Sequence, residues 1–122
     1  MVKSSVNALN HFWKGKMVLI TGHTGFKGSW LSILLSQLGA DISGISLLPK
    51  TEPSLFNSAN LNNFLNSYIF DLTDLSKLKK VISSIRPNVV FHLAAQPLVR
   101  QSYSNPIETI NSNVIGTANL LE

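Results

Sequence analysis

Cysteine is absent from these 122 residues, which excludes disulfides, thiolate metal ligands and cysteine nucleophiles. Charge is scarce as well: 13% of the residues are Asp, Glu, Lys or Arg, against about a quarter in an ordinary soluble domain. At 44% hydrophobic the chain is not intrinsically disordered, and its thin charge predicts an apolar face that expects more protein against it. Such a face predicts self-association of the isolated chain. Long apolar runs are missing too. Met17-Val18-Leu19-Ile20 is far short of the roughly 20 residues that cross a bilayer, so no membrane partner is expected. Residues 1–16 show neither the apolar centre nor the cleavage site of a secretory signal, and a cytoplasmic location is the expectation. The length suits one compact domain.

Ten Lys and Arg against six Asp and Glu leave a net charge of +4. The basic residues are spread from Lys3 to Arg100, and the densest group, Lys77, Lys79 and Lys80, falls in an amphipathic segment. Nucleic-acid binders gather such residues on one face among aromatics, so no nucleic-acid partner is expected. The surplus suits a multiply anionic small ligand.

Short apolar runs alternate with helical patterns, which predicts βαβ units and a parallel sheet. Residues 17–21 read as a strand buried on both faces. Residues 26–38 read as a helix with a stripe at Leu31, Leu34, Leu35 and Leu38, stopped by Gly39. A second strand is expected at 42–47, with Asp41 just ahead of it. A loop follows with Pro49 and Pro53, one helical turn near Leu55 and Phe56, and an Asn-rich stretch over 57–66. A third strand is expected at 68–70. Thr73 can cap a helix carrying Leu75, Leu78, Ile82 and Ile85, which Arg86-Pro87 ends. Residues 89–91 are the fourth strand, and 94–104 a turn-rich loop. Asn105-Pro106-Ile107-Glu108 opens a last helix with one stripe at Ile107, Ile110, Val114, Ala118 and Leu121. The fold class is α/β, the N-terminal part of a Rossmann-type doubly wound parallel sheet. With no strand after the last helix, the chain reads as cut.

Thr21-Gly22-His23-Thr24-Gly25-Phe26-Lys27-Gly28 joins the first strand to the first helix, with glycines at G-x-x-G-x-x-G spacing. Gly22 permits the sharp turn, Gly25 a close backbone approach to a pyrophosphate, and Gly28 tight packing of helix on strand. Amides at the helix start, with its dipole, favour an anionic group. Strand before and amphipathic helix after make the glycine spacing a strong dinucleotide signal. It is not a Walker A loop, since Lys27 precedes the last glycine. Asp71, ending the third strand, stands where a carboxylate can hold an adenine amino group, or else caps the next helix. His92-Leu93-Ala94-Ala95 brings small residues to the end of the fourth strand. Ligands of open α/β sheets bind at these strand ends. The second strand ends in Ser46-Leu47-Leu48 without the acid expected for a ribose 2′-hydroxyl, which leaves NAD against NADP open. His23 and His92 read as structural and no metal is expected, because no carboxylate neighbours either at ligand spacing. Trp30 reads as core or interface.

With these residues, the chain resembles the extended short-chain dehydrogenase/reductases. Thr-Gly-x-x-Gly-Phe-x-Gly at 21–28, Asp71-Leu72, His92-x-Ala-Ala and Asn113-Val-x-Gly-Thr117 follow that group's order. Within it, the wording resembles the CDP-glucose 4,6-dehydratase family in Phe12-Trp13-x-Gly-Lys16, Gly-His-Thr-Gly-Phe-Lys-Gly-Ser-Trp at 22–30, Pro53-Ser-Leu-Phe56 and Ala-Ala-Gln-Pro-Leu-Val-Arg-x-Ser-Tyr at 94–103. The resemblance implies a lyase of sugar-nucleotide metabolism, feeding polysaccharide biosynthesis, with NAD as a catalytic cofactor. Sugar C4 is oxidised, water is lost across C5 and C6, and hydride returns to C6.

It further implies that Gly22, Thr24, Gly25, Phe26, Lys27 and Gly28 line the pyrophosphate and that Asp71 and Leu72 flank adenine. Leu93, Ala94 and Ala95 would lie by the pyrophosphate and nicotinamide ribose. Gln96, Arg100 and Ser102 would lie toward the sugar nucleotide, Arg100 being equally readable as a solvated loop charge. The family's Tyr-x-x-x-Lys is missing, because Tyr68 and Tyr103 are followed four residues on by Leu72 and Ile107. The expectation is therefore a partial NAD-binding domain over 1–122, with 1–15 as lead-in and without catalytic pair or substrate domain. A homo-oligomer or a complementing polypeptide is the expected partner. A related epimerase or reductase fragment and a non-catalytic nucleotide-binding module are the alternatives.

Overall fold

The structure, a computed structural model, describes residues 2–122, with side chains from residue 4 onward. An opening helix, α1 (Val2–Trp13), leads into β1 (Met17–Thr21), α2 (Phe26–Gln37) and β2 (Asp41–Ser46). A short helix, α3 (Leu55–Ser58), and a 3-10 turn (Leu61–Asn63) precede β3 (Asn66–Ile69), α4 (Leu75–Ile85) and β4 (Val89–His92). The chain ends in α5 (Val99–Ser104), α6 (Pro106–Ile110), a π-helical turn (Asn111–Ile115) and α7 (Gly116–Leu121). The last three run on without leaving helical backbone angles, since Ile110, Asn111, Ile115 and Gly116 are all right-handed.

The four strands form one parallel sheet in the order β3-β2-β1-β4. β1 is central, pairing Val18 with both Ile42 of β2 and Val89 of β4. Chain order reverses between β1 and β4, where open sheets of this kind form a crevice. Side chains alternate across the sheet. Val18, Ile20 and Ile42 pack with Leu35, Phe56, Leu61 and Leu65 on one face; Leu19 and Ile45 pack with Leu72, Leu78 and Ile85 on the other.

Several local expectations shift. Asp41 opens β2 instead of preceding it, and β2 ends at Ser46 rather than 47. β3 starts at Asn66 and stops at Ile69, earlier than the aromatic run suggests, because Ser43 to Ser46 set its register. The Asn-rich stretch is more than a polar loop: Leu61 and Leu65 are buried in the core. Asp71 Oδ1 accepts the Thr73 amide at 2.9 Å in a tight turn, and Asp74, not Thr73, caps α4 by accepting the Lys77 amide at 3.1 Å. Part of the turn-rich loop coils into α5, where Ser102 and Ser104 hydroxyls bond back to the carbonyls of Val99 and Arg100.

The apolar stripe of α2 meets the core at three of its four positions. Leu35 is buried, Leu31 and Leu38 pack against the core and Leu34 stays exposed, while Gly28, Ser29 and Ser32 complete the buried side. The serines can be buried because Ser29 donates to the His23 carbonyl and Ser32 to that of Gly28. On the last helix Ile107, Ile110, Val114 and Leu121 are exposed. The stripe faces outward from Ile107 and Ile110 onward, ahead of the π turn, and Gly116 and Leu120 are what this helix turns to the core.

Candidate functional site

The loop after β1 turns on Gly22, at φ +78° with its amide donating to the Ile45 carbonyl at 2.8 Å. A Cβ there would lie 2.8 Å from the Ala94 nitrogen and 2.9 Å from the Leu93 carbonyl carbon, so this position must be bare. A Cβ on Gly28 would lie 2.1 Å from the Gly22 oxygen, so the third glycine packs against the loop's own backbone. Gly25 caps α2 without any side-chain acceptor, which leaves the first-turn amides to other partners. Thr24 is buried: its hydroxyl bonds the Ser46 hydroxyl at 2.7 Å and the Leu47 carbonyl at 2.8 Å. That ties the loop to the end of β2. Phe26 and Lys27 face outward, Phe26 edge-on to the exposed Trp30 at 6.4 Å between centroids.

His23 is fully buried and holds the loop from beneath. Its Nε2 meets the Ser67 hydroxyl at 2.7 Å, its ring stands edge-on to Phe56, and Nδ1 has no hydrogen-bond partner. Burial lowers its pKa to about 4, an effect partly offset by the backbone at Ile45. The ring fits only because residue 44 is glycine, where a Cβ would lie 2.2 Å from His23 Cγ. Gly44→Ala is expected to cost about 2 kcal/mol through this overlap, read as a lower urea midpoint. A variant as stable as the parent would contradict that geometry.

The end of β4 forms the opposite wall. Thr21 Oγ1 lies 3.1 Å and 3.2 Å from the amides of Leu93 and Ala94, and 2.6 Å from His92 Nδ1. His92 Nε2 is 2.7 Å from Thr117 Oγ1 on α7, and burial lowers its pKa. Leu93 and Ala95 are exposed beside the crevice and Ala94 is half-buried. Gln96 is buried, and its amide bonds Leu98 and Thr109, so the side chain organises its own loop. Asn113 clasps the Gln96 backbone, accepting its N–H at 2.7 Å and donating to its carbonyl at 3.1 Å.

Beyond the ends of β2 and β3 lies a cleft of about 450 Å³, within the usual range for ligand sites. Asp71, Lys50, Leu47, Glu108, Asn111 and Ser112 are among its lining residues. Leu72, next to Asp71, turns instead into the core. Arg100 is exposed on α5, and Ser102 Oγ is bonded to the Val99 carbonyl within that helix. The structure therefore gathers the glycine loop and residues 93–95 around one crevice and puts Asp71 on the adjoining cleft. Sequence reasoning missed Ser46, Ser67, Lys50 and Thr117 as parts of this arrangement. Only Thr117 carried a signal, through the Asn-Val-x-Gly-Thr string.

Among the described residues no helix is long and apolar enough to cross a membrane. The family model for GDP-mannose 4,6 dehydratase matches residues 19–122. The CDP-glucose 4,6-dehydratase of Salmonella typhimurium is 54% identical over 112 residues, which is 92% of this chain and 31% of that protein. The UDP-glucose 4-epimerase of Thermotoga maritima, solved with UDP-glucose, superposes with a TM-score of 0.76 at 32% identity, over 85% of this chain and 32% of that one. The Thermus thermophilus UDP-glucose 4-epimerase, solved with NAD, gives 0.75 at 29% identity over 85% of this chain and 32% of that one. The chain thus spans about a third of the length of these relatives. On sheet order, glycine loop and matched sequence together, the chain belongs to the GDP-mannose 4,6 dehydratase family and has its Rossmann-type fold.

Proposed function

We propose that this chain is the cofactor-binding part of an NAD-dependent sugar-nucleotide 4,6-dehydratase that takes CDP-glucose to its 4-keto-6-deoxy product. The observation that carries the reading is the bare cradle between β1 and α2. Gly22 and Gly28 leave no room for a Cβ, and the first-turn amides of α2 lack a side-chain cap. A diphosphate fits that donor set, because the amides and the helix dipole both favour negative charge. Gly22, Gly25 and Gly28 would line the pyrophosphate, with Phe26 and Lys27 at its outer rim. Thr24 would act by fixing the loop to β2. Asp71 would hold the adenine amino group over the cleft, supported from the core by Leu72. Leu93, Ala94 and Ala95 would flank the pyrophosphate and nicotinamide ribose. Gln96 would shape the loop that brings Arg100 and Ser102 toward the sugar nucleotide.

When bound, the nicotinamide supplies a reversible hydride acceptor, and the protein supplies position and proton transfer. Oxidation at C4 acidifies the C5 proton, which is why a net dehydration needs a redox cofactor. These 122 residues bind and orient. They hold no Tyr-x-x-x-Lys pair to take the C4 hydroxyl proton. The CDP-glucose assignment draws on the 54% identity to the Salmonella enzyme. An epimerase lineage is the second reading, favoured by the epimerase structures that superpose on the chain. A second copy or a complementing polypeptide is the proposed partner, favoured by the exposed Ile107, Ile110, Val114 and Leu121 on the last helix.

The test is calorimetry of the purified chain with NAD and NADP, followed by incubation with CDP-glucose. Binding of a dinucleotide without 4-keto product is expected. Absence of binding by folded protein would remove the cofactor reading, and product formation would refute the claim that turnover needs residues beyond these.

A further inference from the structure

The hydrogen bonds that join β1, β4 and the last helix favour one proton arrangement. Thr21 Oγ1 lies 3.1 Å from the Leu93 nitrogen and 3.2 Å from the Ala94 nitrogen, and both partners are backbone donors. The Leu93 amide is shared with the Thr21 carbonyl, also at 3.1 Å, so Oγ1 accepts the Ala94 amide and part of the Leu93 one, which directs its own proton to His92 Nδ1 at 2.6 Å. Nδ1 is then the unprotonated nitrogen. The neutral ring carries its proton on Nε2 and donates it to Thr117 Oγ1 at 2.7 Å. Thr117 in turn donates to the Asn113 carbonyl at 2.6 Å, within the π turn. The chain of donors runs one way, from the floor of the crevice to the helix beside it.

Its near end is the wall of the cradle. The two amides fixed by Thr21 belong to Leu93 and Ala94, whose backbone atoms are those a Cβ on Gly22 would meet. Its far end is Asn113, whose side chain also clasps the backbone of Gln96. The imidazole is thus the one bridge in this chain of bonds between the strand ends and the helix. We propose that His92, held as the neutral Nε2–H tautomer, is a positioning residue that keeps residues 93–95 against Gly22 and so sets dinucleotide affinity. The inference rests on the cofactor reading above and adds to it a named residue, a protonation state and a partner, Thr117.

Two measurements on the full chain decide it. Nitrogen-15 imidazole NMR of the parent at neutral pH, without cofactor, should show His92 protonated at Nε2 and bare at Nδ1. The opposite tautomer, or a charged ring, overturns the arrangement. Calorimetry with NAD then compares the parent with Thr117→Val and Thr117→Ser. The valine variant should bind about fivefold to tenfold more weakly, the size of one lost hydrogen bond, while serine, which keeps the hydroxyl, should match the parent. Equal binding by the valine variant, or equal weakening by serine, overturns the positioning role. Should Thr117→Val fail to fold, His92→Gln carries the same comparison, again with weaker binding expected and parent-like binding overturning the role. A parent chain that is folded and binds no dinucleotide sinks the cofactor reading, and the positioning role with it, whichever tautomer is seen.

Discussion

Gly28→Ala is expected to destabilise the ligand-free chain by about 3 kcal/mol and to abolish dinucleotide binding. Helix propensity alone argues the other way. Gly28 sits in the first turn of α2, and alanine inside a helix is favoured over glycine by about 1 kcal/mol. The contact decides the sign. The new Cβ would lie 2.1 Å from the Gly22 oxygen and 2.8 Å from both the Gly22 carbonyl carbon and His23 Cα, all backbone atoms. Nor can that backbone retreat. Gly22 is bonded to Ile45 behind it and walled by Leu93 and Ala94 in front, and His23 is buried. Gly15→Ala is the control: its φ is also positive, at +73°, but nothing lies within 4 Å of the added carbon. Strain alone should cost it about 1 kcal/mol and leave binding intact. Urea unfolding and calorimetry on both variants check the pair, and a Gly28→Ala chain as stable as the parent would refute the packing argument.

Acid should unfold the chain through His23 before its carboxylates are largely protonated. The folded pKa of about 4 lies below the ordinary 6.5, so between these values the unfolded chain binds a proton that the folded chain refuses. The contribution is therefore complete above about pH 6.5, shrinks as pH falls, and is gone near pH 4. Over the whole window it amounts to about 3 kcal/mol, of which about 2 kcal/mol is lost between pH 7 and 5. His92, also lowered by burial, acts in the same direction. Urea midpoints at pH 7 and 5 measure the loss, and proton NMR of the His23 ring assigns it. A His23 resonance titrating near its ordinary value would end the argument.

What the sequence disclosed was whatever is written locally. Val18-Leu19-Ile20 announces a strand with both faces covered, and the glycine spacing announces a turn followed by a helix, because both depend on neighbours a few residues away. Gly39, at φ +85°, ends α2 as expected of a glycine in that place. What stayed hidden depends on distant partners. Ser29 and Ser32 look like surface residues until their hydroxyls are seen bonded to the carbonyls of His23 and Gly28. Thr73 and Asp74 are both competent caps, and only the Asp71 bond to the Thr73 amide passes the role to Asp74. Which side of the last helix meets the core is set the same way, by Leu72 against Gly116 and by the cluster that receives Leu120. Within the site, Thr21 and His92 lie 71 residues apart, and no local pattern links them.

The parallel sheet makes its central strand, β1, first and one of that strand's two neighbours, β4, last of the four. Residues next to each other in β1 and β4 come from opposite halves of the sequence, as Thr21 and His92 do. Parallel neighbours of this kind form slowly, since a long loop must close before any contact rewards it. During synthesis the glycine loop is made early, yet its opposing wall arrives only with Ala94 and its last fastening only with Thr117. A nascent chain paused before that point would carry the loop with one side open.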